Sequence, residues 1–230
     1  MILFKKSIPY KSTTIVMQKS ILIIGMGQGL SLGIAEKFGR EGYQIGMISR
    51  NVENLENYKR HLKAYAITSE FAIADVTDTE AMISAIQAIR AKLGEISVLH
   101  YNAVDYRMMH LMNETVENLT RGFVISVANA YAASLELVED LAKNKGAILI
   151  TGGASGITPS PDMASISLGK AGIRNLSLQL HQVLKPREIF VGTITIGGRI
   201  SREVPKYSPD LLAEMFWDLH IKRDQAEIIY

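Results

Sequence analysis

The sequence contains no cysteine. That removes disulfides, thiolate nucleophiles and cysteine-ligated zinc together, and it fits an intracellular, cytoplasmic setting. No apolar run approaches the ~20 residues that cross a bilayer, so no membrane association is expected. Net charge is small as well: 25 Lys and Arg face 23 Asp and Glu, leaving +2. A nucleic-acid binder relying on a basic footprint needs more. The five histidines show no H-E-x-x-H or comparable spacing, so no metal site is expected. Repeats, low-complexity tracts and Pro/Gly/Ser linkers are also absent, and the six prolines are scattered.

What is present reads as a folded globular chain. Hydrophobic residues make up 47% and charged residues 21% of the 230 positions, enough apolar material for a sizeable core. At roughly 150 residues per domain, the length allows one large domain or two small ones. With no boundary signal, one domain over 20–230 is expected, preceded by an arm over 1–19. The arm starts apolar and then carries Lys5, Lys6 and Lys11, the reverse of a signal peptide. Met17, just before the first strand pattern, is an alternative start.

Short β-branched runs alternate with longer helical patterns. Strands are expected at Ile21–Ile24, Tyr43–Ser49, within Ala66–Ala74, at Ile96–His100, Ala147–Ile150, Ile189–Ile196 and Ala226–Tyr230. Helices are expected at Ser31–Arg40, Val52–Ala64, Thr79–Leu93, Val116–Leu141 with Thr115 as N-cap, Asp162–Leu184 and Pro209–His220. Such alternation with buried apolar strands predicts an α/β fold. It is a doubly wound, Rossmann-like parallel sheet with helices on both faces. Ligands in such folds lie beyond the carboxyl ends of the strands.

The first strand runs into Gly25-Met26-Gly27-Gln28-Gly29-Leu30-Ser31. A glycine-rich strand-to-helix turn lets backbone approach a pyrophosphate at a helix N-terminus. No register gives G-x-G-x-x-G, and no Walker lysine is present, which disfavours an ATP loop. The plain alternative is a tight turn without a ligand. The second strand ends at Ser49-Arg50, where an NAD site usually carries an acidic residue. A guanidinium there suits a 2′-phosphate and favours NADP over NAD; otherwise Arg50 is an ordinary solvated residue.

Here the chain resembles the short-chain dehydrogenase/reductase family, from about Ser20 to Ile200. The glycine turn is similar to the family's T-G-x-x-x-G-x-G, with Ile24 for Thr and Ser31 for the third glycine. Asp75-Val76-Thr77-Asp78 resembles D-V-T-D, whose first Asp binds adenine. Asn102-Ala103 in Tyr101–Val104 resembles N-N-A-G. The resemblance implies an NADP-binding oxidoreductase with cofactor contacts at Gly25, Gly27, Gln28, Gly29, Leu30, Ser49, Arg50, Asp75, Val76, Asn102, Ala103, Lys170, Gly197 and Ile200. It also implies a homodimer or homotetramer through the helices at 116–141 and 162–184.

The catalytic half departs from the family. The helper Asn position reads Ser126, the Ser position Gly153, and the Tyr position of Tyr-x-x-x-Lys reads Ile166. The lysine is present as Lys170, one helical turn later. An isoleucine transfers no proton. The catalytic candidates are therefore Lys170, as a ribose contact, with Ser126 and Ser155. Asp105, Tyr106 and His110 are further loop positions near the pocket, while His100 and Tyr101 are expected to be packed. Met108, Met109 and Met112 read as packing residues or as an apolar substrate mouth. Two functions stay open: an oxidoreductase with non-standard catalytic residues acting on an unidentified small molecule, or a non-catalytic NADP-binding sensor or scaffold.

Overall fold

A computed structural model describes residues 19–230. The N-terminal arm, with Met17, lies outside the described residues. The seven strands are β1 (Ser20–Ile24), β2 (Gln44–Ser49), β3 (Ser69–Ile73), β4 (Val98–Tyr101), β5 (Ala147–Thr151), β6 (Phe190–Thr195) and β7 (Glu227–Ile229). They form one sheet in the order β3-β2-β1-β4-β5-β6-β7, and every pair is parallel. This is the doubly wound α/β fold the sequence predicts. The central strands carry unbroken apolar runs because both of their faces are covered. Along β1, Ile21 and Ile23 point into one core, while Leu22 and Ile24 point into the other.

The first core is closed by α1 (Leu30–Arg40), α2 (Val52–Ala64) and α8 (Pro209–Lys222). The second is closed by α3 (Thr79–Leu93), α5 (Asn129–Glu136), α6 (Val138–Lys143) and α7 (Ala164–Leu184). Helices α2 and α3 occupy the residues expected for them. Their ends are fixed locally: Asn51 and Asp78 accept bonds from the backbone N–H of Asn54 and Ala81, the usual N-cap arrangement.

The expected helix over Val116–Leu141 requires correction. Helix α4 (Val116–Phe123) does start at the expected cap, where Thr115 accepts from the Asn118 N–H. It then passes through a π-helical turn at Val124–Ala128 before α5, and a further break at Leu137 precedes α6. The cause is tertiary. The buried Tyr101 hydroxyl donates to the Ile125 carbonyl at 2.6 Å, an outside donor entering the helical ladder. Helix α7 also begins later than expected, at Ala164, because a 3-10 turn at Pro161–Met163 leads into it. No helix among the described residues is long and apolar enough to cross a membrane.

Candidate functional site

The strand order reverses between β1 and β4, so the connections from their carboxyl ends run to opposite faces of the sheet. A cleft of about 410 Å³ opens at this point. Its walls include Gly25, Met26, Ser49, Arg50, Asp75, Val76, Asn102, Ala103, Asp105, Tyr106, Arg107 and Arg121.

The floor of the cleft is the glycine turn. Gly25 has φ +86°, and a Cβ there would lie 2.5 Å from the Ala103 nitrogen; only glycine meets both conditions. The turn is braced from β4. Asn102 Nδ2 donates to Ser31 Oγ at 2.8 Å and to the Gly25 carbonyl at 3.2 Å, and Ser31 Oγ donates to that carbonyl at 3.0 Å. Ser31 thus carries a buried hydroxyl whose bonds are made within the fold. Beyond the brace the backbone is bare. Nothing lies within 4 Å of a Cβ built on Gly27 or Gly29, and Gln28 is exposed. Helix α1 follows Gly29 at its N-cap, with no side-chain cap and no acidic residue in its first turn. Free N–H groups and the positive helix end form a ready anion site. Leu30 serves it through its backbone alone, since its side chain is buried in the core.

At the other end of the cleft, Arg50 is largely exposed and stands 3.9 Å from the Asp75 carboxylate. Burial works against ionisation of Asp75. The Thr77 N–H and hydroxyl and the Arg50 and Arg121 charges outweigh it, so the pKa falls below the ordinary value. The loop holding Asp75 and Val76 is fixed by a residue not singled out in the sequence. Asn129 on α5 donates to the Val76 carbonyl at 2.6 Å and accepts from Thr79 Oγ1 at 2.8 Å. Arg121, exposed on α4 and lining the cleft, was not singled out either; its charge helps lower the pKa of both Asp75 and Asp105, a proximity visible only in three dimensions.

The remaining candidates lie outside this cleft. The Lys170 stem crosses Gly153: its Cγ, Cδ and Cε are each 3.3 Å from where a Gly153 Cβ would stand. Its ammonium donates to the Thr151 carbonyl at 2.7 Å. Burial pushes the Lys170 pKa down to about 8. Ile166, on the same side of α7, is buried. Ser126 is buried and accepts from the Asp105 N–H at 3.3 Å, so it holds a loop. Ser155 lines a different, apolar cavity of about 480 Å³ with Leu111, Ile157 and Leu168; it is not brought to the glycine turn. Gly197 pairs through its N–H with the Tyr230 carbonyl at 2.6 Å, and Ile200 packs on the first core.

The segment after β4 also differs from expectation. Asp105 is no ordinary loop residue: only 5% exposed, it is gripped by Arg107 through both carboxylate oxygens and accepts from Ser165 Oγ at 2.7 Å. Arg107 also reaches Glu114 at 3.0 Å and the Asn118 carbonyl at 2.9 Å. Burial opposes the Asp105 charge, but Arg107 and Ser165 overcome it and lower its pKa. His110 merely caps a turn, its Nδ1 accepting from the Met112 N–H. Tyr106, Met108 and Met112 are well exposed, which removes core packing as the role of the methionine cluster. His100 and Tyr101 are packed as expected; His100 Nε2 meets Thr151 Oγ1 at 3.1 Å.

A parallel sheet with an open glycine turn at its switch point, an uncapped helix N-terminus and a charged cleft places the protein in the class of Rossmann-like α/β folds. The sequence carries this further: the chain belongs to the short chain dehydrogenase family, whose sequence model matches residues 19–206. Members of this family are oxidoreductases that bind NAD or NADP. An uncharacterized oxidoreductase of Bacillus subtilis is 26% identical over 191 residues, covering 83% of this chain and 72% of the relative. A putative oxidoreductase from Escherichia coli has the same fold, with a TM-score of 0.84 at 17% identity over 92% of this chain and 95% of its own. So does an NADPH-bound short chain oxidoreductase from Pseudomonas aeruginosa described as containing an atypical catalytic center. Its TM-score is 0.82 at 18% identity, over 91% of this chain and 94% of its own.

Proposed function

We propose that the protein is an NADP(H)-dependent oxidoreductase of the cytoplasm acting on a small carbonyl compound with a non-standard catalytic set. The observation that carries this reading is the open anion cradle at Gly27–Leu30, joined by one cleft to an exposed Arg50. The residues present fit a dinucleotide. The bare N–H groups before α1 suit a pyrophosphate. Asp75 and the Val76 backbone suit the adenine, and Arg50 suits a 2′-phosphate, with no acidic side chain at Ser49, Arg50 or Asn51 to repel it. Lys170 suits the nicotinamide ribose. When bound, the cofactor supplies hydride chemistry. The chain's own part is to anchor it, to exclude the usual phenol by placing Ile166 at that position, and to present Lys170. The NADPH-bound Pseudomonas aeruginosa relative supports the phosphorylated form.

Self-association through the exposed apolar residues Val116, Phe123, Tyr131 and Leu135 on α4 and α5, and Leu168 and Val183 on α7, belongs to the same proposal. It makes a homodimer or homotetramer.

The test is a thermal-shift titration with NADPH, NADP, NADH and NAD, followed by a carbonyl screen. Ligand at 100 times Kd stabilises by about 2.7 kcal/mol, roughly 5–10 °C for a chain of this size. A shift confined to the phosphorylated forms is expected, with NADPH oxidation by at least one aldehyde or ketone. Binding without oxidation across the panel would establish the sensor or scaffold reading instead. No shift with any of the four would defeat both.

A further inference from the structure

Around the carboxyl ends of β4 and β5 and the start of α7 stand several ionisable groups, and their surroundings sort them. Asp105 is ionised and fully engaged by Arg107 and Ser165, with its pKa lowered; it has no proton to give at neutral pH. Arg107 and Arg121 are guanidinia, which do not deprotonate in proteins. Arg174, one turn beyond Lys170 on α7, is locked in a bidentate pair with Glu227 of β7. His100 on β4 lies behind Thr151 and against Phe216 on the α8 face. It is neutral, its pKa pushed down to about 3, chiefly by burial and secondarily by the Lys170 charge. Ile166 has no proton at all.

Lys170 is left. Two absences shape its position. With no side chain on Gly153, the lysine stem lies directly over the backbone that follows β5. With Ile166 one turn earlier, its own helical face offers no phenol to take its place. Of its three N–H groups only one is spent within the protein, on the Thr151 carbonyl. We infer that the Lys170 ammonium is itself the proton donor to the substrate carbonyl oxygen, in place of a tyrosine phenol. This rests on the oxidoreductase reading above.

The step balances. A bound reduced dinucleotide would supply the hydride to the carbonyl carbon and be oxidised, the π electron pair moving to oxygen. The part of Lys170 is to give that oxygen its proton from Nζ as the N–H bond breaks, so that the carbonyl becomes an alcohol. The neutral amine then regains a proton from water. Burial without a paired carboxylate places the Lys170 titration near 8, close to the working pH that suits a general acid. Because the acid form is required for reduction, the rate is level below that pH and falls tenfold per unit above it.

Two measurements test the assignment, one of them without cofactor or turnover. Trace acetic anhydride labelling of the purified protein over a pH series, read by peptide mass spectrometry, gives the Lys170 titration directly. A midpoint near 8 is expected; the ordinary lysine value of about 10.4 overturns the proposal. The second is Lys170→Arg, which keeps the charge and hydrogen-bond donors but cannot release a proton at working pH. It is expected to bind NADPH within a few-fold of wild type and to lose at least ~100-fold in kcat. Turnover equal to wild type in Lys170→Arg overturns the acid role and leaves the oxidoreductase reading standing. Turnover that survives Lys170→Arg but vanishes in Tyr207→Phe assigns the proton to Tyr207, whose hydroxyl stands 3.3 Å from the Cβ position of Gly197. A wild-type protein that binds NADPH and reduces no carbonyl defeats both.

Discussion

Gly25 carries two constraints at once: a left-handed φ and backbone contact with Ala103. Gly25→Ala is therefore expected to destabilise the fold by about 1–3 kcal/mol and to abolish dinucleotide binding, both visible in a thermal melt with and without NADPH. The buried histidines predict acid lability. His100 and His220 are both pushed down to about 3, below the unfolded value of about 6.5. The unfolded chain therefore binds more protons than the native one between these values. Stability contributed by the neutral imidazoles is complete above pH 6.5 and is lost progressively as pH falls towards 3. Each group steepens the loss by up to about 1.4 kcal/mol per pH unit. Denaturant titrations between about pH 7 and 5, above the range where carboxylates titrate, should show this slope, and His220→Gln should remove part of it. An unchanged slope in that variant would assign the lability elsewhere.

Among the elements, the segment joining β4 to α4 depends on one cation. Arg107 is the common partner of Asp105 and Glu114, whose side chains are 6% and 1% exposed. Arg107→Leu strands two buried carboxylates, so a loss of about 3–5 kcal/mol is expected, measured by denaturant unfolding. The double variant Arg107→Leu with Asp105→Asn should recover part of it. The π-helical turn depends on Tyr101 in a similar way. Tyr101→Phe frees the Ile125 carbonyl and is expected to cost about 1–2 kcal/mol. Neither dependency is local in sequence: the Tyr101–Ile125 bond spans 24 residues. The caps of α2 and α3 are only three residues from the N–H groups that donate to them. That contrast is why those helix ends were legible and the π turn was not.

For the whole molecule, the exposed apolar faces of α4, α5 and α7 predict association in solution. Light scattering should return a dimer or tetramer over a range of concentrations, and Phe123→Glu with Leu135→Glu should shift it towards monomer. A concentration-independent monomer in the unaltered protein would remove self-association from the proposal. The parallel sheet follows from a pattern every strand repeats, so local errors in boundaries did not disturb it.

The sequence by itself determined the strand and helix alternation, the glycine turn and the family. Periodicity, turn chemistry and residue type are local properties, and a single chain carries them. Only the tertiary structure decided how those residues meet. It separated Ser155 from the cleft, turned Ser126 and Asp105 into loop anchors, brought in Asn129 and Arg121, and laid Lys170 across Gly153. The reason is physical: a hydrogen bond or a desolvated charge depends on distances between segments far apart in the chain. Those distances exist only once both cores have packed against the sheet.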